Sequence, residues 1–180
     1  MWRIKCLKSD TAPSPIFADG LIVAVDSHDP DLEVLALRPD GLGDVTDTHI
    51  VWRMDHGPGI PSPAAAGGLL FLPREDGNVT CRDLKTGAQV WTHDFDGCQF
   101  HASASVVGDK IYLLSREGTL IVLAAGRQFR ELSRCVIGEE GCEATPAFGP
   151  GRMYVRTLGH LFALGAASGG TPLPPSGGGK

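Results

Sequence analysis

The stretch Cys81–Trp91 reads Cys-Arg-Asp-Leu-Lys-Thr-Gly-Ala-Gln-Val-Trp, and its surroundings decide the fold. An Asp76-Gly77 turn and an alternating run lead into it. Thr86-Gly87 reads as a turn between two strands. Asp83 and the Thr86 hydroxyl are placed to bond local backbone groups, and Gly87 accepts a backbone conformation that other residues resist. Trp91 falls on the strand after that turn. An indole there covers about 150–250 Å², and packing between sheets is the simpler reading than stacking on a ligand.

This stretch lies inside a repeat. Pro13–Ala24 (PSPIFADGLIVA), Pro61–Leu72 (PSPAAAGGLLFL), Ala102–Leu114 (ASASVVGDKIYLL) and Ala144–Val155 (ATPAFGPGRMYV) overlay on one another. Anchored on Pro15, Pro63, Ala104 and Pro146, they are offset by 48, 41 and 42 residues. Each anchor precedes a Gly-containing turn, an apolar run, a second turn (Asp76-Gly77, Glu117-Gly118, Leu158-Gly159) and a further apolar run. The runs Lys110–Leu114, Thr119–Leu123, Arg152–Arg156 and His160–Leu164 are short and bounded by turn residues, as strands are. No stretch carries an apolar stripe of helical period. A period of about 40–45 residues with several strands per unit predicts an all-β fold, a β-propeller of about four four-stranded antiparallel blades. The blades are expected near residues 11–54, 59–94, 101–137 and 142–164, with a further strand at 2–7, all within a domain spanning 1–165. Residues 166–180 (AASGGTPLPPSGGGK) have the composition of a disordered tail.

The pattern Ala-x-Asp-x-x-Thr-Gly-x-x-x-Trp is the tryptophan-docking motif of propellers related to pyrroloquinoline-quinone (PQQ) dehydrogenases. Asp83, Thr86, Gly87 and Trp91 match it, while Cys81 replaces the usual Ala. Ala36–Trp52 looks like a longer variant of the same corner, and Thr145–Leu164 like a closing blade. Over about residues 2–165 the chain resembles the PQQ-like repeat proteins common in planctomycete-type bacteria. The resemblance implies structural docking roles for Cys81, Asp83, Thr86, Gly87 and Trp91, repeated by Trp52 and Trp2. It also implies an extracytoplasmic (periplasmic) site, although Met1–Lys8 has no apolar core and does not read as a signal peptide.

The resemblance carries the fold further than the chemistry. A PQQ enzyme needs a hard cation on oxygen ligands and a carboxylate base, and its family adds a Cys-Cys pair and a Trp floor under the quinone. The three Trp residues here all sit at docking-type positions, and no two Cys are adjacent. Glu139, Glu140 and Glu143 form a dense acidic patch that reads as a solvated loop. His93 and His101 flank Cys98 without zinc-site spacing, and His160 reads as packed or hydrogen-bonded. Ser103 and Ser105 lack a nucleophile-elbow context. No catalytic, cofactor-binding or metal-ligating residue is therefore assigned, and no cofactor is expected. The five Cys residues, with Cys135 and Cys142 the pair closest to bridging a hairpin, are expected as free thiols. A net charge of −5 with interspersed signs argues against nucleic acid, and no apolar run is long enough to span a membrane.

The function expected is a non-catalytic binding or scaffold module for a protein or extracellular ligand. The alternative is part of a PQQ-dependent oxidoreductase whose catalytic residues lie outside this chain, and an inert remnant of a truncated gene is a third reading. Trp2–Leu7 (WRIKCL) compares with Trp52-Arg53-Met54 as an outer strand beginning at a docking Trp, whereas Ala144–Leu164 holds three strands. The outer strand of the last blade is thus open to being supplied by the N-terminus. Three arrangements follow: a four-bladed ring, the C-terminal half of a longer propeller (the favoured reading), or a homodimer completing an eight-bladed ring.

Overall fold

The computed structural model describes residues 1–8, 11–27 and 32–165. The tail expected to be disordered, 166–180, lies outside the described residues. Among those described, every regular element is a strand.

A two-residue strand β1 (Trp2–Arg3) comes first. Blade 1 follows as β2 (Ile16–Ala18), β3 (Leu21–Asp26) and β4 (Glu33–Leu37), then a corner strand β5 (Gly43–Asp44) and the outer strand β6 (Ile50–Asp55). Blade 2 is β7 (Ala64–Ala66), β8 (Leu69–Pro73), β9 (Asn78–Asp83) and β10 (Gln89–Asp94). Blade 3 is β11 (Ser105–Val107), β12 (Lys110–Leu114), β13 (Thr119–Ala124) and β14 (Glu131–Val136). Blade 4 is β15 (Ala147–Gly149), β16 (Arg152–Arg156) and β17 (Leu161–Gly165). The first three are four-stranded antiparallel meanders in sequence order, and the fourth has three described strands. β1 does not join blade 4. It pairs in parallel with β5, Trp2 opposite Gly43 and Arg3 opposite Asp44, at the other end of the row of blades.

Burial follows from the stacking of sheets. Strands sandwiched between two sheets are apolar on both faces, and β8 is buried at all five positions. Its Leu70 and Leu72 join Val23, Val25 and Val34 of blade 1 in one core, whereas its Leu69 and Phe71 join Ile111, Leu113, Ile121 and Leu123 of blade 3 in another. A third core joins Leu114 and Leu120 of blade 3 to Met153 and Val155 of blade 4. Each such Leu, Ile or Phe contributes about 1.5–3 kcal/mol on leaving water. In blade 4, β16 alternates exposed and buried residues because only one of its faces is covered.

The blades have two distinct ends. At one, the turn after the third strand folds under the first hairpin: Leu84 N–H donates to Gly68 O (3.0 Å) and Ala125 N–H to Asp109 O (2.8 Å). At the other, the turn between the second and third strands meets the connections between blades: Phe95 N–H donates to Gly77 O (3.0 Å) and Arg116 N–H to Gln99 O (2.8 Å). We refer to these as the corner end and the connection end.

Candidate functional site

At the corner end, the motif quoted first forms a closed hydrogen-bond set. Thr86 N–H and Oγ1 both donate to Asp83 Oδ1 (3.2 and 3.1 Å), and Gly87 N–H donates to Asp83 O (2.8 Å). Arg127, from the next blade's corner, donates Nη1–H to Asp83 Oδ2 (3.0 Å). These bonds, that from Arg127 foremost, hold the Asp83 carboxyl below its ordinary range. Asp83 thus adds stability that is complete above about pH 4 and is lost as pH falls through its lowered value. Asp83→Asn is expected to be less stable than the parent at pH 7 and to lose less on acidification to pH 3. Urea midpoints at both pH values check this, and equal acid losses in the two proteins refute it.

Gly87 adopts φ +71°, and a Cβ there would stand 2.8 Å from Cδ2 of Trp52. The motif's glycine therefore seats the indole of the preceding blade, whose Nε1–H donates to Leu84 O (2.9 Å). Trp91 repeats the act one blade on, donating to Gly126 O (3.0 Å), with its ring on Phe71 and edge-on to Phe129. Trp2 does the same one blade earlier, donating to Pro39 O (2.7 Å). Register explains the motif's first position. Trp52 lies opposite Ala36 and Trp91 opposite Cys81, each just after a one-residue bulge in its outer strand, and a small residue leaves the opposing ring room. Cys81 is fully buried, and that burial pushes its thiol up to about 12, so it serves as a small apolar residue. All five cysteines are free thiols.

The same bulge in blade 3 places Ser133, opposite Val122, where the docking Trp would stand. Reading the sequence did not single out Ser133. Its only signal is the absence of an indole ten or so residues past the third strand.

The junction of blades 3 and 4 is held instead at the connection end. Glu143 accepts from His101 Nδ1 through Oε2 (2.6 Å) and from Arg116 Nε through Oε1 (2.7 Å). Burial raises its carboxyl, but these two bonds outweigh it and leave it below the ordinary range. Glu139 takes Thr157 Oγ1–H at Oε2 (2.6 Å) and the His160 ring at Oε1 (2.7 Å). The acidic patch expected as a solvated loop is thus a bonding network, because folding brings His101, Arg116, Thr157 and His160 to it from outside the loop. His93 stacks on Phe129 (centroids 4.0 Å apart), so His93, Cys98 and His101 do not converge. Among the described residues no group of three or more His, Cys, Asp or Glu is arranged to hold a metal ion. Beside this network runs a groove of about 400 Å³ lined by Arg116, Glu117, Glu140, Glu143, Arg156 and Leu158.

The family model described as outer membrane protein assembly factor BamB matches residues 43–135, just over half of the chain. The chain belongs to this family. It is 28% identical over 167 residues to the outer membrane protein assembly factor BamB of Burkholderia pseudomallei, covering 91% of this chain and 43% of that protein. The crystal structure of BamB from Moraxella catarrhalis superposes with a TM-score of 0.68 at 12% identity, covering 86% of this chain and 46% of that one. A quinohemoprotein alcohol dehydrogenase of Pseudomonas putida HK5 superposes at 0.62 with 17% identity, covering 86% and 29%. The chain therefore spans less than half the length of these relatives, and the superpositions establish the β-propeller fold. PQQ-like repeats account for both the family match and the dehydrogenase likeness. The residues do not fit the quinone itself: all three indole N–H groups are bound to neighbouring corners, which leaves no Trp to floor a cofactor.

Proposed function

We propose that this chain is a non-catalytic propeller module that binds a protein partner across its connection end. The observation that carries this reading is Leu158, 86% exposed on the rim of the mixed-charge groove between Arg116 and Arg156. An exposed apolar residue flanked by arginines suits a protein interface. The family name, an assembly factor of outer membrane proteins, supports a protein partner and an extracytoplasmic location. Among the described residues no helix is long and apolar enough to cross a membrane.

The test has two arms. A photo-reactive residue at Leu158 is expected to give a discrete cross-linked product in the cell envelope of the source organism. The same probe at Leu42, 81% exposed in the blade 1 corner, is expected to give none. Equal products at both sites, or none at Leu158, overturn the partner surface. Titration with PQQ and Ca²⁺, read by absorbance and dye reduction, is expected to show neither stoichiometric binding nor turnover. Either result would instead establish the oxidoreductase reading.

A further inference from the structure

The outward face of blade 4 is built as an inter-blade face. Strand register makes Tyr154, Leu161 and Ala163 the counterparts of Phe71, Val79 and Cys81 in blade 2 and of Tyr112, Leu120 and Val122 in blade 3. In blades 2 and 3 the next blade covers these positions, and Val79 and Leu120 are 0% and 6% exposed. In blade 4, Tyr154 is 38% and Leu161 71% exposed. The outer edge of β17 has no hydrogen-bonded neighbour among the described strands.

The opposite end of the arc carries the missing part. Trp2 occupies blade 1's corner as Trp52 occupies blade 2's, by an indole bond to the corresponding carbonyl. From Trp2 to Cys6 the chain alternates half-buried and exposed residues, the pattern of the outer strand β6. Trp2–Leu7 therefore already lies as an outer strand, yet no described inner strands share its sheet. Blades 1 and 4 of one chain share neither a sheet nor a hydrophobic core.

We propose that two copies of this chain close one eight-bladed ring. Each gives Trp2–Leu7 as the fourth strand of the other's last blade, and each lays its blade 1 over the other's Tyr154, Leu161 and Ala163. The two junctions are identical and the ring closes after two copies, so no sheet edge stays free. The second copy is the occupant that supplies both missing parts, the strand and the apolar face behind it, in their right relation. Carrying the β4–β6 register onto β17 sets Trp2 opposite Ala163 and Ile4 opposite Leu161 of the other copy.

Light scattering of the purified chain at micromolar concentration is expected to give twice the mass of one chain. In a Cys135→Ser background, a mixture of Ile4→Cys and Leu161→Cys chains is expected to form a covalent pair on mild oxidation, and neither variant alone is. These exposed or half-buried positions leave the blade cores intact, so the variants report on assembly. A monomer in light scattering, no covalent pair in the mixture, or an intramolecular disulfide in an Ile4→Cys/Leu161→Cys double variant would each overturn the proposal.

Discussion

Trp91→Ala is expected to lower the unfolding free energy by about 3–5 kcal/mol, the range for deleting a large buried aromatic. Three losses combine. The ring is 9% exposed within the core between blades 2 and 3. It contacts Phe71 and Phe129 at centroid distances of 6.0 and 5.3 Å, and aromatic pairs add about 0.5–1.5 kcal/mol each beyond area. Its N–H also satisfies the Gly126 carbonyl. Trp91→Phe keeps most of the ring volume and removes that bond, so a loss of about 1 kcal/mol is expected. Since whole domains are held by only about 5–15 kcal/mol, the alanine variant should unfold at markedly lower urea. A loss below about 1 kcal/mol for Trp91→Ala would show that the indole is not a blade-to-blade anchor.

Gly118→Ala is the second large effect, and a backbone carbonyl is its cause. Gly118 sits at φ +83° in the turn before β13, and a Cβ there would stand 2.1 Å from Glu139 O. The same turn receives Ile137 N–H at Gly118 O (2.8 Å), so the approach belongs to the way the connection between blades 3 and 4 lies over the turn. Gly108 separates conformation from crowding: φ is +61° and nothing stands within 4 Å of its Cβ position. Gly108→Ala should show the left-handed penalty alone, about 1–2 kcal/mol. Gly118→Ala adds an overpacking cost of about 1–3 kcal/mol and displaces Glu139 from Thr157. Thermal melts of the two variants side by side provide the measurement, and equal shifts would refute the close approach.

What the sequence disclosed and what it hid follow one physical rule. Features made by residues near one another in the chain were readable. The Asp83–Thr86–Gly87 turn is closed by its own side chains, the hairpins repeat every forty or so residues, and the propeller followed from them. Features that need two distant segments to meet were not. Glu139 and Glu143 looked like loop charge because His101 and Arg116 reach Glu143 from 42 and 27 residues away. Strand β5 was invisible within the long corner Ala36–Trp52, since a Gly-Asp pair has no strand propensity and becomes one only through β1. The bulges ahead of Trp52, Trp91 and Ser133 leave no mark on composition, yet they decide which residue faces the neighbouring corner.

Ser133 gives the arc an unequal seam. Adjacent blades in a repeat structure are coupled only to their neighbours, so the whole is as cooperative as its weakest junction. The junctions between blades 1 and 2 and between blades 2 and 3 are pinned by an indole at the corner end. The third relies on a smaller core and on carboxylate contacts exposed to solvent and salt. Blade 4 is thus hinged at its connection end and unlatched at its corner end. The arc breathes there first, splaying its terminal sheet while the other three remain a rigid wedge.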